Sequence, residues 1–298
     1  MLSDEVTVCI FAYNEEARLL RCIQNFRSFF RILVVDNCST DATVAVAEAA
    51  NCDVVSVKNP GYIETDEVMR PVLAACKTPY VLIASVSEFV PVALVQKYAD
   101  VANAASHDVV RAYRESVTAG LDIPISGPPG RCNPGEIRFF RKGAIDYAGT
   151  KVHDRGRVVV DPSRVLSLLD QRIYYFYQFR DYDASHTERK HGGYNDVLAR
   201  QRFDGGERFG WLRLIFLPLK QFVNCYLRFG AWKFGMPGFI QSYYRWQMEV
   251  GILLRIWEWQ HDFHGAAVVD RNDKVRREME AALPAAGALA SIRHGKAE

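Results

Sequence analysis

Residues 6–26 read VTVCIFAYNEEARLLRCIQNF, and this stretch decides the fold class. Its first eight residues are rich in β-branched and aromatic side chains, which is typical of a strand. The residues after Tyr13 carry apolar side chains at helical spacing, namely Leu19, Leu20, Ile23 and Phe26. Asn14 is a candidate N-cap, and the two glutamates after it suit the positive end of a helix dipole. The stretch therefore predicts a strand followed directly by a helix.

The same alternation continues along the chain. We expect strands over 31–36 (RILVVD), 52–57 (CDVVSV) and 80–85 (YVLIAS), with helices over 38–50 and 65–76. This order predicts an α/β fold with a mostly parallel sheet flanked by helices. In such sheets ligands bind at the carboxyl ends of the strands, and the polar residues of this segment concentrate there.

The bulk composition excludes several classes of protein. The chain has 298 residues, 49% of them apolar, which is enough for a large α/β core with a helical appendage. A net charge of +2 gives no reason to expect a nucleic-acid partner. The seven cysteines lack CxxC pairing, so we expect reduced, packed thiols. The N-terminus lacks a signal-peptide pattern and no uncharged apolar run reaches about 18 residues, so we expect a cytoplasmic protein without a spanning helix.

The C-terminal part predicts amphipathic helices. Residues 211–232 form an apolar helical pattern that we expect to kink at Pro218. Its polar side chains fall in one sector of the helical wheel, namely Arg213, Lys220, Asn224 and Arg228. A second helix is expected over 238–259, after a glycine and proline turn at 235–238. We expect these helices to lie on an anionic membrane surface; the alternative is packing on the sheet or on a second subunit, as a homodimer.

The first turn points to one nucleotide-binding family. FAYNEE at 11–16 lacks the glycines of a dinucleotide-binding turn, and a P-loop is also absent. Together with VVDNCSTDAT at 34–43, it resembles the nucleotide-sugar half of glycosyltransferase family 2, which has the GT-A fold. Three later segments are similar, in order, to bacterial lipopolysaccharide-core and exopolysaccharide transferases: EIRFFRKGAIDYAGTKVHD at 136–154, KHGGYNDVLAR at 190–200 and RFGAWKFGMPGFI at 228–240.

This resemblance implies a domain organisation and a reaction. It implies a nucleotide-sugar-binding and catalytic domain over 1–180 and a helical region over 181–298 for acceptor and membrane-surface association. The implied reaction is inverting transfer of a sugar from a nucleoside diphosphate sugar, with UDP favoured, to a hydroxyl of a lipid-linked or cell-envelope glycan. The implied location is the cytoplasmic face of the inner membrane. The alternatives are a catalytically silent nucleotide-binding or scaffolding relative, and a nucleotidyltransferase, whose glycine-rich basic first turn is missing here.

The resemblance also assigns residues to the nucleotide. Tyr13 would pack on the uracil ring, and Asp36, beside Asn37, would accept a hydrogen bond from the base. The other donor-binding residues implied in this first turn are Ala12, Asn14 and Glu15. The alternatives are that Tyr13 is a core aromatic residue and that Asp36 is a helix cap.

The chemical step needs a base, and the resemblance places Asp154 in that role. Asp154 stands where the family has a glutamate, one methylene longer, and a partly desolvated carboxylate can accept the acceptor's proton. His153 would orient Asp154 or contact a phosphate. Lys190 would approach the phosphates from the helical region. The alternative for the histidine and aspartate pair is a solvated loop.

The leaving diphosphate needs positive charge, and Arg138 and Arg141 are the candidates. Residues three apart on a strand face opposite sides, so we expect only one of them to reach the diphosphate. The other would be a surface charge or a partner of Asp146.

The turn after the fourth strand departs from the family pattern. Family members have an Asp-x-Asp turn there that binds Mn²⁺ or Mg²⁺, whereas this chain has Ser85 and Ser87, followed by Glu88. Hard divalent cations prefer carboxylate oxygen, and a serine hydroxyl is a weak ligand. Three alternatives stay open: a transferase that uses arginine with little or no metal, one that binds metal through Glu88, and a silent relative.

Overall fold

The computed structural model contains a seven-stranded central sheet. The described residues are 2–59, 63, 65–118, 120–124, 127, 129, 133–150, 156–180 and 184–282. The strands are β1 (Val6–Ala12), β2 (Arg31–Asp36), β3 (Asp53–Ser56), β4 (Tyr80–Ser85), β5 (Glu88–Phe89), β6 (Val109–Ala112), β7 (Arg114–Thr118), β8 (Glu136–Arg141), β9 (Ile145–Asp146), β10 (Arg157–Val158), β11 (Val165–Ser167) and β12 (Phe176–Arg180). The helices are α1 (Leu19–Phe26), α2 (Thr43–Ala49), α3 (Asp66–Ala75), α4 (Val92–Ala104), α5 (Ala184–Asp204), α6 (Trp211–Val223), α7 (Gly235–Gln260) and α8 (Gly265–Ala282).

The sheet confirms the predicted α/β architecture. Its strand order is β11-β6-β8-β4-β1-β2-β3, and β1, β2, β3 and β4 pair in parallel. β8 runs antiparallel to both of its neighbours. The parallel strands therefore end at one edge of the sheet, next to Ala12, Asp36 and Ser85, which we call the carboxyl edge. Since β8 runs the other way, its first residue lies at the carboxyl edge and its last residue lies at the opposite edge.

The core explains why these strands are nearly continuous apolar runs. The sheet is covered on both faces, so alternate side chains of β1 enter two different clusters. On one face Ile10 packs with α1, and Phe139 stacks between Tyr80 and Tyr98 with ring centroids 5.3 and 4.6 Å away. On the other face Cys9 packs with Met69 of α3.

The first two helices start later than the sequence predicted. α1 begins at Leu19, and Asn14 adopts a left-handed backbone with φ 52°, so Asn14 is not its N-cap. α2 begins at Thr43, and Cys38 is also left-handed, with φ 58°. The residues before each helix bond across to the other loop, and this competes with helix formation. Leu20 was also wrongly placed on the buried face, because its side chain is exposed.

A second, three-stranded sheet lies beyond the central one. β12 pairs in parallel with β7 and antiparallel with β5. β7 follows β6 after one residue, and β5 follows the turn after β4, so both strands leave from the carboxyl edge. The Phe179 amide donates to the Ser87 carbonyl oxygen at 2.8 Å, which ties this sheet to the β4–β5 turn. The second sheet therefore flanks the loops at the carboxyl edge.

The helical region packs around α7, which contacts both α5 and α6. The predicted turn at 235–238 was wrong in position. α6 ends at Val223, irregular helical turns follow to Phe234, and α7 begins at Gly235. Pro237 is tolerated in the first turn of α7 because a helix leaves its first amides unbonded. A Cβ on Gly238 would lie 1.8 Å from the Ala231 carbonyl oxygen, so this close contact requires glycine.

No helix in the described part of the chain is both long and apolar enough to cross a bilayer.

Candidate active site

The loops after β1 and β2 are tied together at the carboxyl edge. The Asn14 amide donates to Ser39 Oγ at 2.9 Å, and Asn14 Oδ1 accepts from the Thr40 amide at 2.8 Å. The Glu15 amide donates to Thr43 Oγ1 at 2.7 Å, and the Glu15 carboxylate pairs with Arg18. Asn14 therefore links the two loops through its backbone and its side chain, and Glu15 links them through its backbone amide.

Tyr13 and Asp36 have opposite exposures at this edge. The Tyr13 side chain is 56% exposed, so it is not a core aromatic residue. Asp36 is 2% exposed, and both carboxylate oxygens accept from the Ser39 amide, at 3.2 and 3.1 Å. Asp36 does not cap α2, which begins seven residues later at Thr43. An exposed aromatic face beside a fixed buried carboxylate is a suitable arrangement for a planar, hydrogen-bonding ligand.

Two further predicted residues join β1, β2 and the loop after β3. The Ala12 carbonyl oxygen accepts from the Asn37 amide at 2.9 Å. Asn37 Oδ1 accepts from the Asn59 amide at 2.6 Å. The Asn37 side chain therefore fixes the start of the loop after β3, and Ala12 takes part through its backbone.

The β4–β5 turn is built on a buried ion pair. The Arg138 guanidinium donates to Glu88 Oε1 at 2.9 Å, and the exposed fractions of the two side chains are 16% and 2%. Glu88 Oε2 accepts from the Ser85 amide at 3.0 Å. Ser85 Oγ and Ser87 Oγ lie 3.3 Å apart. The turn thus presents two hydroxyls above a carboxylate that an arginine already neutralises.

A β-bulge places Arg138 at this turn. In the pairing of β6 with β8, Val110 lies opposite Phe139 and Arg111 lies opposite Ile137, so Arg138 is an extra residue in β8. Such bulges redirect a side chain out of the regular alternation of the strand.

Arg141 lies at the opposite edge of the sheet, so its predicted place at the donor is wrong. β8 runs antiparallel to β4, and Arg141 pairs with Tyr80, the first residue of β4. Its guanidinium lies 3.7 Å from the Asp108 carboxylate, and half of its side chain is exposed. The alternative that Arg141 pairs with Asp146 is also wrong, because Asp146 pairs with Arg157 at 2.6 Å.

Comparisons with known proteins give a family match for the first strands and a relative over most of the chain. Residues 7–68 match the model of the family described as glycosyl transferase family 2. The chain is 29% identical over 244 residues to the lipopolysaccharide core biosynthesis glycosyltransferase LpsC of Rhizobium meliloti (strain 1021), covering 78% of this chain and 84% of LpsC. The chain is a glycosyltransferase, and its residues 7–68 resemble family 2.

Two solved structures resemble this glycosyltransferase over most of its length. Residues 1–349 of TarS from S. aureus, in complex with UDP-GlcNAc, are 13% identical with a TM-score of 0.45, over 83% of this chain and 81% of that one. The mannosyltransferase PcManGT from Pyrobaculum calidifontis, in complex with GDP-Man and Mn²⁺, is 14% identical with a TM-score of 0.43, over 94% and 81%.

The β4–β5 turn of this glycosyltransferase does not fit a divalent cation. Mg²⁺ and Mn²⁺ need several oxygen ligands, preferably carboxylates. Glu88 is the one carboxylate of the turn, and the positive charge of Arg138, bonded to it at 2.9 Å, opposes the approach of a second cation. Among the described residues, no group of three or more His, Cys, Asp or Glu is placed to hold a metal ion.

A thiol near the turn is not a nucleophile. Cys22 lies under Ser85 and is buried. Burial, reinforced by the negative charges of Glu88 and Glu15, raises the pKa of the Cys22 thiol to about 12. Since the thiolate is the reactive form, Cys22 is inert at neutral pH.

Some predicted residues lie outside the described part of the glycosyltransferase. Asp154 and His153 belong to 151–155, which is not described, between β9 and β10. Lys190 lies in α5, but its side chain is also outside the described part.

Sequence reasoning missed a second set of charges at the carboxyl edge. The Arg114 guanidinium, at the start of β7, lies 3.4 Å from the Glu136 carboxylate, at the start of β8. Burial lowers the pKa of the Arg245 guanidinium on α7, and the positive charge of Arg114 lowers it further. Arg245 therefore approaches this edge from the helical region. One feature of the sequence pointed to this second set of charges. Glu136 is a charged residue in the same predicted strand as Arg138, two positions before it.

Proposed function

We propose that this glycosyltransferase moves a sugar from a UDP-sugar to a hydroxyl of a lipid-linked or other cell-envelope glycan, with inversion of configuration. The main observation behind the proposal is that an exposed aromatic side chain, Tyr13, and a buried carboxylate, Asp36, follow neighbouring strands at the carboxyl edge. The envelope acceptor is supported by the similarity to LpsC, which is named for lipopolysaccharide core biosynthesis.

The base end of the donor site consists of Tyr13 and Asp36. The exposed Tyr13 ring stacks on the uracil. Asp36 accepts from the uracil N3–H, because each carboxylate oxygen has a second lone pair beside the one bonded to the Ser39 amide. Ala12, Asn14, Glu15 and Asn37 hold the loops that carry these two side chains.

The diphosphate end lies over the β4–β5 turn. Arg138 supplies the positive charge as the diphosphate leaves, and Ser85 and Ser87 donate hydroxyl hydrogen bonds to its oxygens. Glu88 holds the guanidinium in place from below. Catalysis therefore needs little or no divalent metal, because the carboxylate that would bind the metal is committed to Arg138.

Asp154 is the general base in this proposal. Inversion implies a single displacement, in which the acceptor hydroxyl loses its proton as it attacks the sugar. His153 orients the Asp154 carboxylate, and Lys190 adds positive charge near the phosphates. The residues that flank this segment are ordered by the β9–β10 pair, in which Val158 lies opposite Ile145.

The chain divides at residue 180 in this proposal. The part over 1–180 holds the donor and performs the transfer, and the part over 181–298 brings the acceptor and the membrane surface to it. The glycosyltransferase acts as a peripheral protein on the cytoplasmic face of the inner membrane. A homodimer is the competing arrangement for the helical surface.

One observation favours a second candidate function, a silent nucleotide-binding or scaffolding protein. The committed Glu88 carboxylate leaves the turn without the ligands of a metal-dependent transferase. Tight UDP binding without turnover of any donor, in Mn²⁺ or in EDTA, would support this second function.

We predict that Tyr13→Ala and Asp36→Asn weaken UDP-sugar binding by roughly 10- to 100-fold each. A lost stacking face and a lost hydrogen bond to a charged group are each worth about 1–3 kcal/mol. The measurement is calorimetric titration, preceded by a thermal-shift panel of UDP-, GDP- and dTDP-sugars. Asp53→Asn, at the exposed start of β3, is the matched control and should bind like the wild type. Unchanged affinity in both site variants would contradict the donor site.

A further inference from the structure

A large exposed apolar surface in the described part of the chain lies on α6 and the first half of α7. On α6 the exposed apolar side chains are Trp211, Leu212, Ile215, Phe216, Leu219 and Val223. At 100° per residue they fill a continuous arc of about 140°. Their exposed fractions range from 39% to 73%, so no part of the described chain covers them. The opposite side of α6 packs inward through Leu214 and Leu217.

The first half of α7 extends this surface. Its exposed apolar side chains recur every three or four residues, namely Met236, Phe239, Ile240, Tyr243 and Trp246. The Phe239 ring packs edge-on against Phe222 of α6, with centroids 5.6 Å apart. The two helices therefore present one surface, the docking face, which consists of the exposed apolar residues of α6 and α7 just named.

The charge around the docking face is mostly positive. From Arg208 to Met248 the sequence contains no Asp or Glu, and it contains six basic residues: Arg208, Arg213, Lys220, Arg228, Lys233 and Arg245. Lys220 and Arg213 lie on one side of the apolar arc on the helical wheel of α6. Arg213 is paired with the Glu207 carboxylate at 3.1 Å, whereas Lys220 and Arg228 are exposed. Lys233 lies over the ring of exposed Trp232, with its Nζ 5.9 Å from the ring centroid.

We propose that the docking face lies in the plane of an anionic lipid bilayer, with its apolar side chains below the headgroups and its cations among them. An apolar arc with exposed cations at Lys220, Arg228 and Lys233 matches a surface that is apolar inside and negative outside. A second copy of the chain would bring the exposed cations of both copies together, and the docking face itself contains no carboxylate to pair them. The bilayer is therefore the occupant that the charge favours.

This surface is joined to the carboxyl edge. Cys225 and Ala231, from the turns between α6 and α7, form one cluster with Ile123 from the segment after β7. The positive charge of Arg114 of β7 lowers the pKa of Arg245 of α7, so the two side chains lie near each other. Resting on the proposed function, binding of the docking face to lipid would hold the acceptor side of the site next to a lipid-linked acceptor.

Sedimentation of the full chain with vesicles tests the inference. Vesicles with about 30% phosphatidylglycerol mimic an anionic leaflet. The wild type should bind them at least tenfold more tightly than it binds pure phosphatidylcholine vesicles. The triple variant Trp211→Ser, Phe216→Ser, Leu219→Ser should lose at least tenfold in partitioning. Lys220→Gln with Arg228→Gln should lose about tenfold on anionic vesicles and show a smaller dependence on salt.

A matched control comes from α8, whose exposed apolar side chains lie among charges of both signs. The triple variant Val269→Ser, Val275→Ser, Met279→Ser removes comparable exposed groups and should bind vesicles like the wild type. All variants should bind a UDP-sugar like the wild type in the absence of vesicles.

The two proposals fail separately. A wild type that binds donor but does not bind anionic vesicles, or binds neutral vesicles as tightly, would contradict the docking face alone. A different result in light scattering would be a dimeric wild type and a monomeric α6 triple variant. That result would assign the surface to a second copy and overturn the inference. Loss of donor binding in the wild type would instead overturn the proposed function.

Discussion

Replacing Arg138 with methionine should lower the free energy of unfolding by about 3–5 kcal/mol and reduce sugar transfer at least 100-fold. The stability effect follows because Glu88 would keep a buried charge without its partner. The activity effect follows because a preorganised donor at a developing charge is worth about 10²–10³ in rate. Urea unfolding and transfer assays with a UDP-sugar measure the two effects.

A double variant separates these two effects. Glu88→Gln combined with Arg138→Met removes both charges, so it should recover most of the lost stability and remain inactive. Arg141→Met is the matched control and should change neither quantity appreciably, because the Arg141 side chain is half-exposed and Asp108 keeps its bonds to Arg164. Recovery of transfer in the double variant, or full transfer in Arg138→Met, would show that Arg138 does not stabilise the leaving diphosphate.

Replacing Asp154 with asparagine should lower kcat by about 10²–10⁴ and leave donor affinity unchanged. The reason is that asparagine keeps the size of the side chain but cannot accept the proton of the acceptor hydroxyl. Steady-state transfer gives kcat, and titration with a UDP-sugar gives the affinity. His153→Ala should cause a smaller loss, because it acts by orienting Asp154.

The control for Asp154 is Asp161→Asn, a nearby surface carboxylate that bonds Ser163. That variant should turn over like the wild type. Normal turnover by Asp154→Asn would place the base elsewhere. Loss of donor binding in Asp154→Asn would make it part of the donor site rather than the base.

The sheet could be predicted from sequence because its strands are buried on both faces. Parallel strands covered by helices on two sides require continuous apolar runs, and RILVVD matches the bounds of β2. The polar residues at the strand ends then indicated the carboxyl edge, where Tyr13, Asp36 and Ser85 follow β1, β2 and β4. These predictions need only local patterns and the general rule about strand ends.

The rest of the site depends on contacts between distant residues. The start of α1 was predicted too early because Asn14 bonds to Ser39, 25 residues away, which no local pattern reveals. The choice between Arg138 and Arg141 depends on the direction of β8 and on its bulge, and both are set by pairing with β6 and β4. The partner of Arg138 is 50 residues away.

The most direct test of the central claim is titration of the wild type with a UDP-sugar in EDTA and in Mn²⁺. The claim is that Arg138, held by Glu88, stabilises the leaving diphosphate in place of a divalent metal. It predicts clear binding in EDTA, with an affinity within about tenfold of that in Mn²⁺, which corresponds to about 1.4 kcal/mol. Binding that disappears in EDTA and returns with Mn²⁺ would contradict it.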